Sequence, residues 1–271
     1  MAAEQQDIQV LSQLINDEHG KYRVRVGERV HYITIAGDVF DEDTMCRPYL
    51  LIPQLPNLPP GAWTTMNIAR DAAGSLVSTI STDPLPKVKA LWHARHVDVL
   101  SLPQTRRFRS GVHEVQWTQD SVDVPGGAAV AAVAKIACFS WDIARIERET
   151  QAYSVLADLE PPIAPRFLGH ITENGRPMGL LLEKVDGEPA GSADLAACEA
   201  VMGKLHDAGL VHGDPNRYNF VVDRRPGGGI RLVDFEFASN FDEETARAEL
   251  LSLPAELSEE TGRGGTVERP E

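Results

Sequence analysis

Three polar residues in one short stretch of the chain have the types and spacing to bind a metal ion or to move a proton. Asp214 and Asn219 stand five residues apart, and Asp234 follows a second short apolar strand. The strands after Asn219 and before Asp234 enclose a Gly-rich turn at 224–229, which is typical of a β-hairpin. Antiparallel pairing about the centre of that turn predicts Asn219 opposite Asp234. An amide oxygen beside a carboxylate can coordinate a hard divalent cation.

A second pair of charged residues occurs among apolar ones. Lys135 interrupts the apolar run Ala128–Cys138, which predicts a buried strand, and a lone buried charge is costly. The following segment, 140–157, has helical spacing, and Glu149 shares the face that carries its apolar residues. The sequence therefore predicts a Lys135–Glu149 ion pair. An ordinary buried ion pair would have the same geometry, so the pair alone indicates no function.

The pattern H-x-D-x-x-x-x-N … D-F runs from His212 through Asp214 and Asn219 to Asp234-Phe235. It resembles the catalytic and metal-binding loops of the protein-kinase-like superfamily. The form His-Gly-Asp is similar to that of aminoglycoside phosphotransferases and of small RIO-type atypical kinases. Taken together, the HGD, NRYNF and DFE segments resemble those of a group of fungal kinase-like proteins.

The resemblance implies a role for each matching residue. Asp214 would be the catalytic base that orients the acceptor hydroxyl, and Asn219 and Asp234 would hold Mg²⁺ on the phosphates of ATP. Lys135 and Glu149 would position the α- and β-phosphates. These five residues are the candidate site on which a phosphotransferase hypothesis depends.

Other positions match the family pattern only through the backbone, or depart from it. The backbone of Glu183 and Val185 would read the adenine edge, which requires no particular side chain. Glu236 replaces the glycine that follows Asp-Phe, as in choline kinases, and Arg217 is a candidate phosphate-facing cation. The segment 103–111 stands where the family has a Gly-rich loop. It would cover phosphates by charge, or form a solvated basic loop, through three arginines: Arg106, Arg107 and Arg109.

The resemblance does not extend to the first part of the chain. Residues 1–95 are expected to be an N-terminal accessory region, 96–261 a protein-kinase-like domain and 262–271 a flexible tail. The spacing of apolar residues predicts a short amphipathic helix over Glu4–Asp17. The alternation of apolar and polar residues over Tyr22–Ile35 predicts a hairpin. No residue pattern in the accessory region indicates a chemistry.

Composition limits the classes of partner. The formal net charge of −14 leaves no basic surplus to neutralise phosphates, which argues against nucleic acid and anionic membranes as partners. No apolar run is close to the length of a membrane span, which is about 18 residues. The N-terminal segment lacks the pattern of a signal peptide. The three cysteines have no paired spacing, as expected in a reducing compartment. We therefore expect a cytoplasmic or nuclear location.

The resemblance implies an α+β, bilobal protein-kinase-like fold with an antiparallel N-lobe sheet, a reduced helical C-lobe and an N-terminal extension. The implied activity is ATP- and Mg²⁺-dependent transfer of the γ-phosphate to a hydroxyl acceptor. A protein acceptor is favoured over a small molecule, because the short helical lobe leaves no room for an acceptor subdomain. Two alternatives stay open. The missing Gly-rich loop favours a nucleotide-binding pseudokinase that acts as a scaffold, and the HGD and DFE forms favour a small-molecule kinase of the aminoglycoside or choline type.

Overall fold

The computed structural model describes residues 7–118, 129–263 and 265. The chain is a mixed α+β protein with several β-sheets. It forms two compact units, Met1–Pro86 and Lys87–Glu271. Of the expected tail, only residues 262, 263 and 265 belong to the described part of the chain. No helix in the described ranges is long and apolar enough to cross a membrane.

The first unit is built on a five-stranded sheet with the strand order β1-β2-β3-β4-β5. Its strands are β1 (Ile8–Ile15), β2 (His19–Val26), β3 (Arg29–Ala36), β4 (Thr65–Arg70) and β5 (Leu76–Ser81). The connection from β3 to the parallel strand β4 holds two short helices, α1 (Glu42–Cys46) and α2 (Pro48–Leu51). The buried core of this unit includes Tyr22, Ile33, Leu51, Trp63 and Met66.

One prediction for this unit is wrong and one is confirmed. The helix predicted over Glu4–Asp17 is strand β1, paired antiparallel with β2; residues 4–6 lie outside the described ranges. A β-bulge between Val10 and Ser12 interrupts the two-residue period of the strand, so its apolar residues imitate helical spacing. The hairpin predicted over Tyr22–Ile35 is present as β2 and β3, with Val26 opposite Arg29.

The second unit contains a six-stranded, mostly antiparallel sheet with the order β6-β10-β11-β9-β8-β7, in which only β6 and β10 are parallel. The strands are β6 (His96–Asp98), β7 (Gln104–Arg109), β8 (Val112–Thr118), β9 (Ala129–Ile136), β10 (Phe167–Glu173) and β11 (Arg176–Glu183). Residues 103–111 were expected to be a loop. Most of this segment instead forms the edge strand β7, so the turn to β8 is short and contains Gly111 with φ +73°.

The described part of the second unit also contains three helices and two small sheets. The helices are α3 (Ile143–Leu156), which lies within the helical segment predicted over 140–157, α4 (Leu195–Asp207) and α5 (Glu243–Leu257). Five short strands form two small sheets. One contains β12 (Glu188–Pro189), β14 (Phe220–Val222) and β15 (Ile230–Leu232), and the other contains β13 (Leu210–Val211) and β16 (Ser239–Asn240). Asp142, in a 3₁₀ turn, precedes α3 and accepts a hydrogen bond from the N–H of Phe139 (3.1 Å).

Candidate functional site

Lys135 lies at the centre of a buried charged cluster. Its Nζ donates to Oε1 of Glu149 on α3 (2.6 Å) and to Oδ1 of Asp234 after β15 (2.7 Å). Lys135 is 7% exposed and Glu149 is 1% exposed, so little water reaches the pair. The structure thus brings together the two residues that the sequence predicted to pair, and it adds Asp234 as a second carboxylate on the same ammonium group.

Burial and charge act in opposite directions on this cluster. Burial alone would raise the pKa of Asp234, but the charges of Lys135 and Arg109 outweigh it and hold that pKa below its ordinary value. Burial alone would lower the pKa of Lys135, but its two carboxylate partners raise it. For Glu149, burial is the dominant cause and raises the pKa, while the charge of Lys135 opposes it. Asp234 and Lys135 are therefore charged at neutral pH.

Arg109 reaches the same carboxylate from the edge strand β7. Its Nη2 lies 2.9 Å from both Oδ1 and Oδ2 of Asp234, and its Nη1 lies 3.2 Å from Oε1 of Glu236. Glu236 is also held from α3, by Nη1 of Arg145 on its carboxylate (3.4 Å) and by Nε of Arg148 on its carbonyl oxygen (2.9 Å). The residue that replaces the expected glycine therefore ties strand β7 and helix α3 to the segment after Asp234.

The backbone at Asp234 turns sharply. Asp234 has φ +69°, in the left-handed region that non-glycine residues seldom adopt, and it precedes a 3₁₀ turn over Phe235–Phe237. The ring of Phe235 is fully buried, 5.4 Å from the ring of Tyr153 and 5.1 Å from that of His212. Its N–H donates to Oε1 of Glu149 (3.3 Å). These contacts anchor the turn and direct the Asp234 carboxylate toward Lys135.

A separate set of contacts holds the loop before Asp214. His212 is fully buried, and its Nε2 donates to the carbonyl oxygen of Val233 (3.0 Å). Burial lowers the pKa of His212, so its ring is neutral near pH 7. The N–H of Gly213 donates to Oε1 of Glu249 on α5 (2.6 Å), and His206 on α4 bonds the other oxygen of Glu249 (2.8 Å). Both histidines thus have structural partners.

Asn219 belongs with Asp214. Its Nδ2 donates to the carbonyl oxygen of Asp214 (2.8 Å) and more weakly to Oδ2 of the same residue (3.3 Å). Asn216 donates to that Oδ2 as well (2.9 Å). Within the described ranges, no donor meets the amide oxygen of Asn219, which stays available as an acceptor or a metal ligand.

The predicted register of the hairpin is wrong by one residue. Phe220 pairs with Leu232, and Asn219 is bonded through its carbonyl oxygen to the N–H of Val233 (3.0 Å), so Asn219 does not face Asp234. The N–H of Asp223 donates to the carbonyl oxygen of Gly229 (3.0 Å), and this pairing puts the centre of the hairpin at Pro226. Among the described contacts, the side chains of Asn219 and Asp234 share no hydrogen bond.

The two positions proposed to contact adenine lie at and just beyond the end of β11. The N–H of Glu183 donates to the carbonyl oxygen of Arg166 (2.9 Å), and its carboxylate accepts from the N–H of Arg166 (3.2 Å). In the part of the chain that the structure describes, the N–H of Val185 has no backbone acceptor. Arg217 donates from Nη1 to the carbonyl oxygen of Glu259 (2.8 Å), so this contact directs it to the segment after α5.

Sequence reasoning missed Glu249, Arg145 and Arg148, which hold the loop of Asp214 and the turn after Asp234. A signal for Glu249 was present. It stands four and eight residues before Leu253 and Leu257, so it shares the buried face of α5. No comparable signal marks Arg145 and Arg148, because each precedes its partner Glu236 by about 90 residues along the chain.

A scan against models of known protein families finds no match for this chain, and a search of the curated proteins finds no relative.

Proposed function

We propose that the second unit is an ATP- and Mg²⁺-dependent phosphotransferase with a bilobal protein-kinase-like fold, which transfers the γ-phosphate of ATP to a hydroxyl group, more plausibly on a protein than on a small molecule. The observation that carries this proposal is the position of Lys135 between Glu149 and Asp234, at 2.6 and 2.7 Å. That contact joins a strand, the following helix and a distant hairpin in the manner the sequence resemblance implies.

The order of the elements supports the same proposal. Strands β7, β8 and β9, helix α3 and strands β10 and β11 come first, and their antiparallel sheet has Lys135 on a strand inside it. Helix α4, the loop of Asp214, the β14–β15 hairpin and α5 follow. Each candidate residue therefore lies on the kind of element that the family resemblance requires for it.

The proposed chemistry depends mainly on positioning and charge. The ammonium group of Lys135, fixed by Glu149, would contact nucleotide phosphates. Asp214 would accept a hydrogen bond from the acceptor hydroxyl and take its proton during transfer. Asn216 and Asn219 both donate to Oδ2 of Asp214, at 2.9 and 3.3 Å, which holds the carboxylate in a fixed orientation.

The donor atoms of the site suit a magnesium ion. Asn219 offers an amide oxygen and Asp234 a carboxylate held below its ordinary pKa, and Mg²⁺ prefers oxygen ligands. When bound, the ion would neutralise charge on the phosphates. For adenine, Val185 offers an N–H, whereas from Glu183 only the carbonyl oxygen would be used, because its N–H is bonded to Arg166 (2.9 Å).

The test is a thermal-shift titration with ATP, with and without Mg²⁺, on the wild type, Asp234→Asn and the control Asp158→Asn. Asp158 is exposed, so its substitution changes the net charge equally without altering the site. Specific binding to the folded state raises the melting temperature. We expect a Mg²⁺-dependent shift in the wild type and the control that is lost in Asp234→Asn. An absence of any shift in the wild type and in variants at the site would overturn the proposal.

Catalysis needs a separate assay, which screens protein, alcohol and amino-sugar acceptors for phosphate transfer. Once an acceptor is found, Asp214→Ala should lose turnover while keeping the Mg²⁺-dependent thermal shift. Unchanged turnover in Asp214→Ala would show that Asp214 is not the base.

A nucleotide-binding pseudokinase is the second candidate, and a specific observation favours it. Both oxygens of Asp234 already accept hydrogen bonds from Arg109, each at 2.9 Å, and the connection from β7 to β8 is too short for a Gly-rich loop. A thermal shift that is indifferent to Mg²⁺ and to Asp234→Asn, together with no transfer to any acceptor, would favour this candidate over the first.

A further inference from the structure

Arg109 lies at the last residue of β7, next to the turn that leads into β8. From there its guanidinium reaches across the second unit to a residue 125 positions later in the chain. Its side chain is 39% exposed, whereas that of Asp234 is 22% exposed, so the guanidinium covers the carboxylate from the solvent side.

The contact leaves little room for another cation on Asp234. Oδ1 accepts from both Lys135 (2.7 Å) and Arg109 (2.9 Å), which uses its two lone pairs, and Oδ2 accepts from Arg109 (2.9 Å). A magnesium ion would bind a carboxylate oxygen at about 2.0–2.1 Å. A guanidinium on the same oxygen atoms would repel it across a few ångströms. By this count one lone pair of Oδ2 is left, and an ion bound there would lie within a few ångströms of the guanidinium, so a divalent ion and Arg109 compete for Asp234.

Glu236 provides a second place for the guanidinium. Its Oε1 already accepts from Nη1 of Arg109 (3.2 Å), and its carboxylate is held in turn by Arg145 (3.4 Å). Arg109 can thus leave Asp234 and keep one anionic partner. Each contact is a charge-assisted hydrogen bond, and the two carboxylates stand two residues apart on one turn.

We propose that Arg109 is an internal competitor of the divalent cation: it closes the metal position on Asp234 in the free protein and must move aside, toward Glu236, before a metal–nucleotide complex binds. The inference rests on the proposed function, because it assigns Asp234 to the metal. It adds a gate that the chain itself supplies, in the place where a Gly-rich loop is missing.

The experiment measures the affinity of the full-length chain for ATP by isothermal titration calorimetry, once with Mg²⁺ in excess and once with a chelator in its place. The variants are Arg109→Gln and, as the matched control, Arg247→Gln. Arg247 is exposed on helix α5, has no role in the candidate site, and its substitution removes the same charge. Arg109→Lys is a second variant that keeps the charge but not the forked contact.

We expect Arg109→Gln to tighten binding of ATP with Mg²⁺ about tenfold, which corresponds to about 1.4 kcal/mol. No gain is expected with the chelator, because the competition is with the metal, and Arg247→Gln should behave as the wild type. Arg109→Lys should tighten binding of ATP with Mg²⁺ by a smaller factor. This variant tests the inference if Arg109→Gln fails to fold. Binding by Arg109→Gln alone, with none by the wild type, would equally support a closed gate.

Two other results would overturn the inference in distinguishable ways. If the wild type binds ATP with Mg²⁺ through Asp234 and Arg109→Gln binds equally or more weakly, the gate is refuted while the proposed function survives. If neither the wild type nor any Arg109 variant binds ATP with Mg²⁺, the proposed function fails, and the gate fails with it.

Discussion

Replacing Lys135 by methionine tests the charge balance of the buried cluster, because the two side chains have similar length and methionine leaves no large cavity. In the variant Asp234 keeps Arg109 on both of its oxygens, at 2.9 Å. Glu149 is 1% exposed and, among the described contacts, keeps only the N–H of Phe235 at 3.3 Å. The substitution therefore isolates Glu149 and not Asp234.

The expected costs follow from that asymmetry. Removing one partner of a buried ion pair destabilises a protein by about 3–5 kcal/mol, because the other charge stays buried without compensation. Glu149→Gln should cost only about 1 kcal/mol, since Lys135 keeps its 2.7 Å contact with Asp234. In the double variant no buried charge is isolated, so adding Glu149→Gln to Lys135→Met should restore about 2 kcal/mol.

The assay is urea unfolding followed by tryptophan fluorescence. Trp92, Trp117 and Trp141 belong to the second unit, and Trp63 belongs to the first. Unfolding of either unit therefore changes the fluorescence, and the second unit contributes three of the four tryptophans. The measurement is the free energy of unfolding of the second unit for the wild type, both single variants and the double variant.

The pH dependence gives an independent check on the same variant. Burial raises the pKa of Glu149, and loss of Lys135 removes the charge that opposes this. A carboxyl whose folded pKa is raised contributes stability below its unfolded pKa and loses it as the pH rises through the folded pKa. The deficit of Lys135→Met relative to the wild type should therefore shrink as the pH falls through the raised pKa of Glu149, by at most about 1.4 kcal/mol per pH unit.

Either of two results would show that the buried charge of Glu149 does not set the stability of the cluster. One is a Lys135→Met variant that loses less than about 1 kcal/mol, which would mean that water or a local rearrangement already compensates Glu149. The other is a double variant less stable than Lys135→Met, which would mean that packing rather than charge sets the cost.

Two further predictions concern a buried histidine and a glycine with a positive φ. Burial lowers the pKa of His170 to about 4, with a smaller effect of His96. The unfolded chain therefore binds a proton that the folded chain does not bind. This group should cost about 2 kcal/mol of stability as the pH falls from about 7 to about 5. An NMR titration in which the His170 ring becomes protonated near its ordinary pKa would contradict this. Gly213 has φ +81°, and an added Cβ would lie 2.4 Å from the carbonyl oxygen of Phe237, so Gly213→Ala should lower the free energy of unfolding by more than about 2 kcal/mol. The control Gly203→Ala, in open space on α4, should be neutral or raise it by up to about 1 kcal/mol, and equal effects of the two substitutions in urea unfolding would contradict the argument.

The elements predicted from local patterns were mostly correct in the second unit. Strand β9 has the apolar run that favours a strand, the hairpin β14–β15 has the predicted turn between its strands, and α3 has helical spacing. The pairing of Lys135 with Glu149 was also accessible, because a charge inside an apolar strand needs a partner nearby in the structure.

The errors have local causes as well. In β1 a bulge shifted the apolar residues to helical spacing. In β7 the arginines made the segment resemble a loop, although an edge strand tolerates charged side chains because one of its sides is solvated. The register of the hairpin failed because the loop from Asp223 to Gly229 has an odd number of residues, which turn composition alone does not reveal.

The sequence by itself determined the candidate residues and the elements on which they stand: Lys135 on a buried strand, Glu149 on the next helix, and Asp214, Asn219 and Asp234 around a hairpin. Only the tertiary structure decided how these residues are grouped, with Asn219 on Asp214 and Asp234 between Lys135 and Arg109. The physical reason is the range of the forces. Alternation, helical spacing and turn chemistry depend on neighbours within a few residues, whereas the contact of Arg109 with Asp234 joins an edge strand to a turn 125 residues away and exists only when both elements are packed.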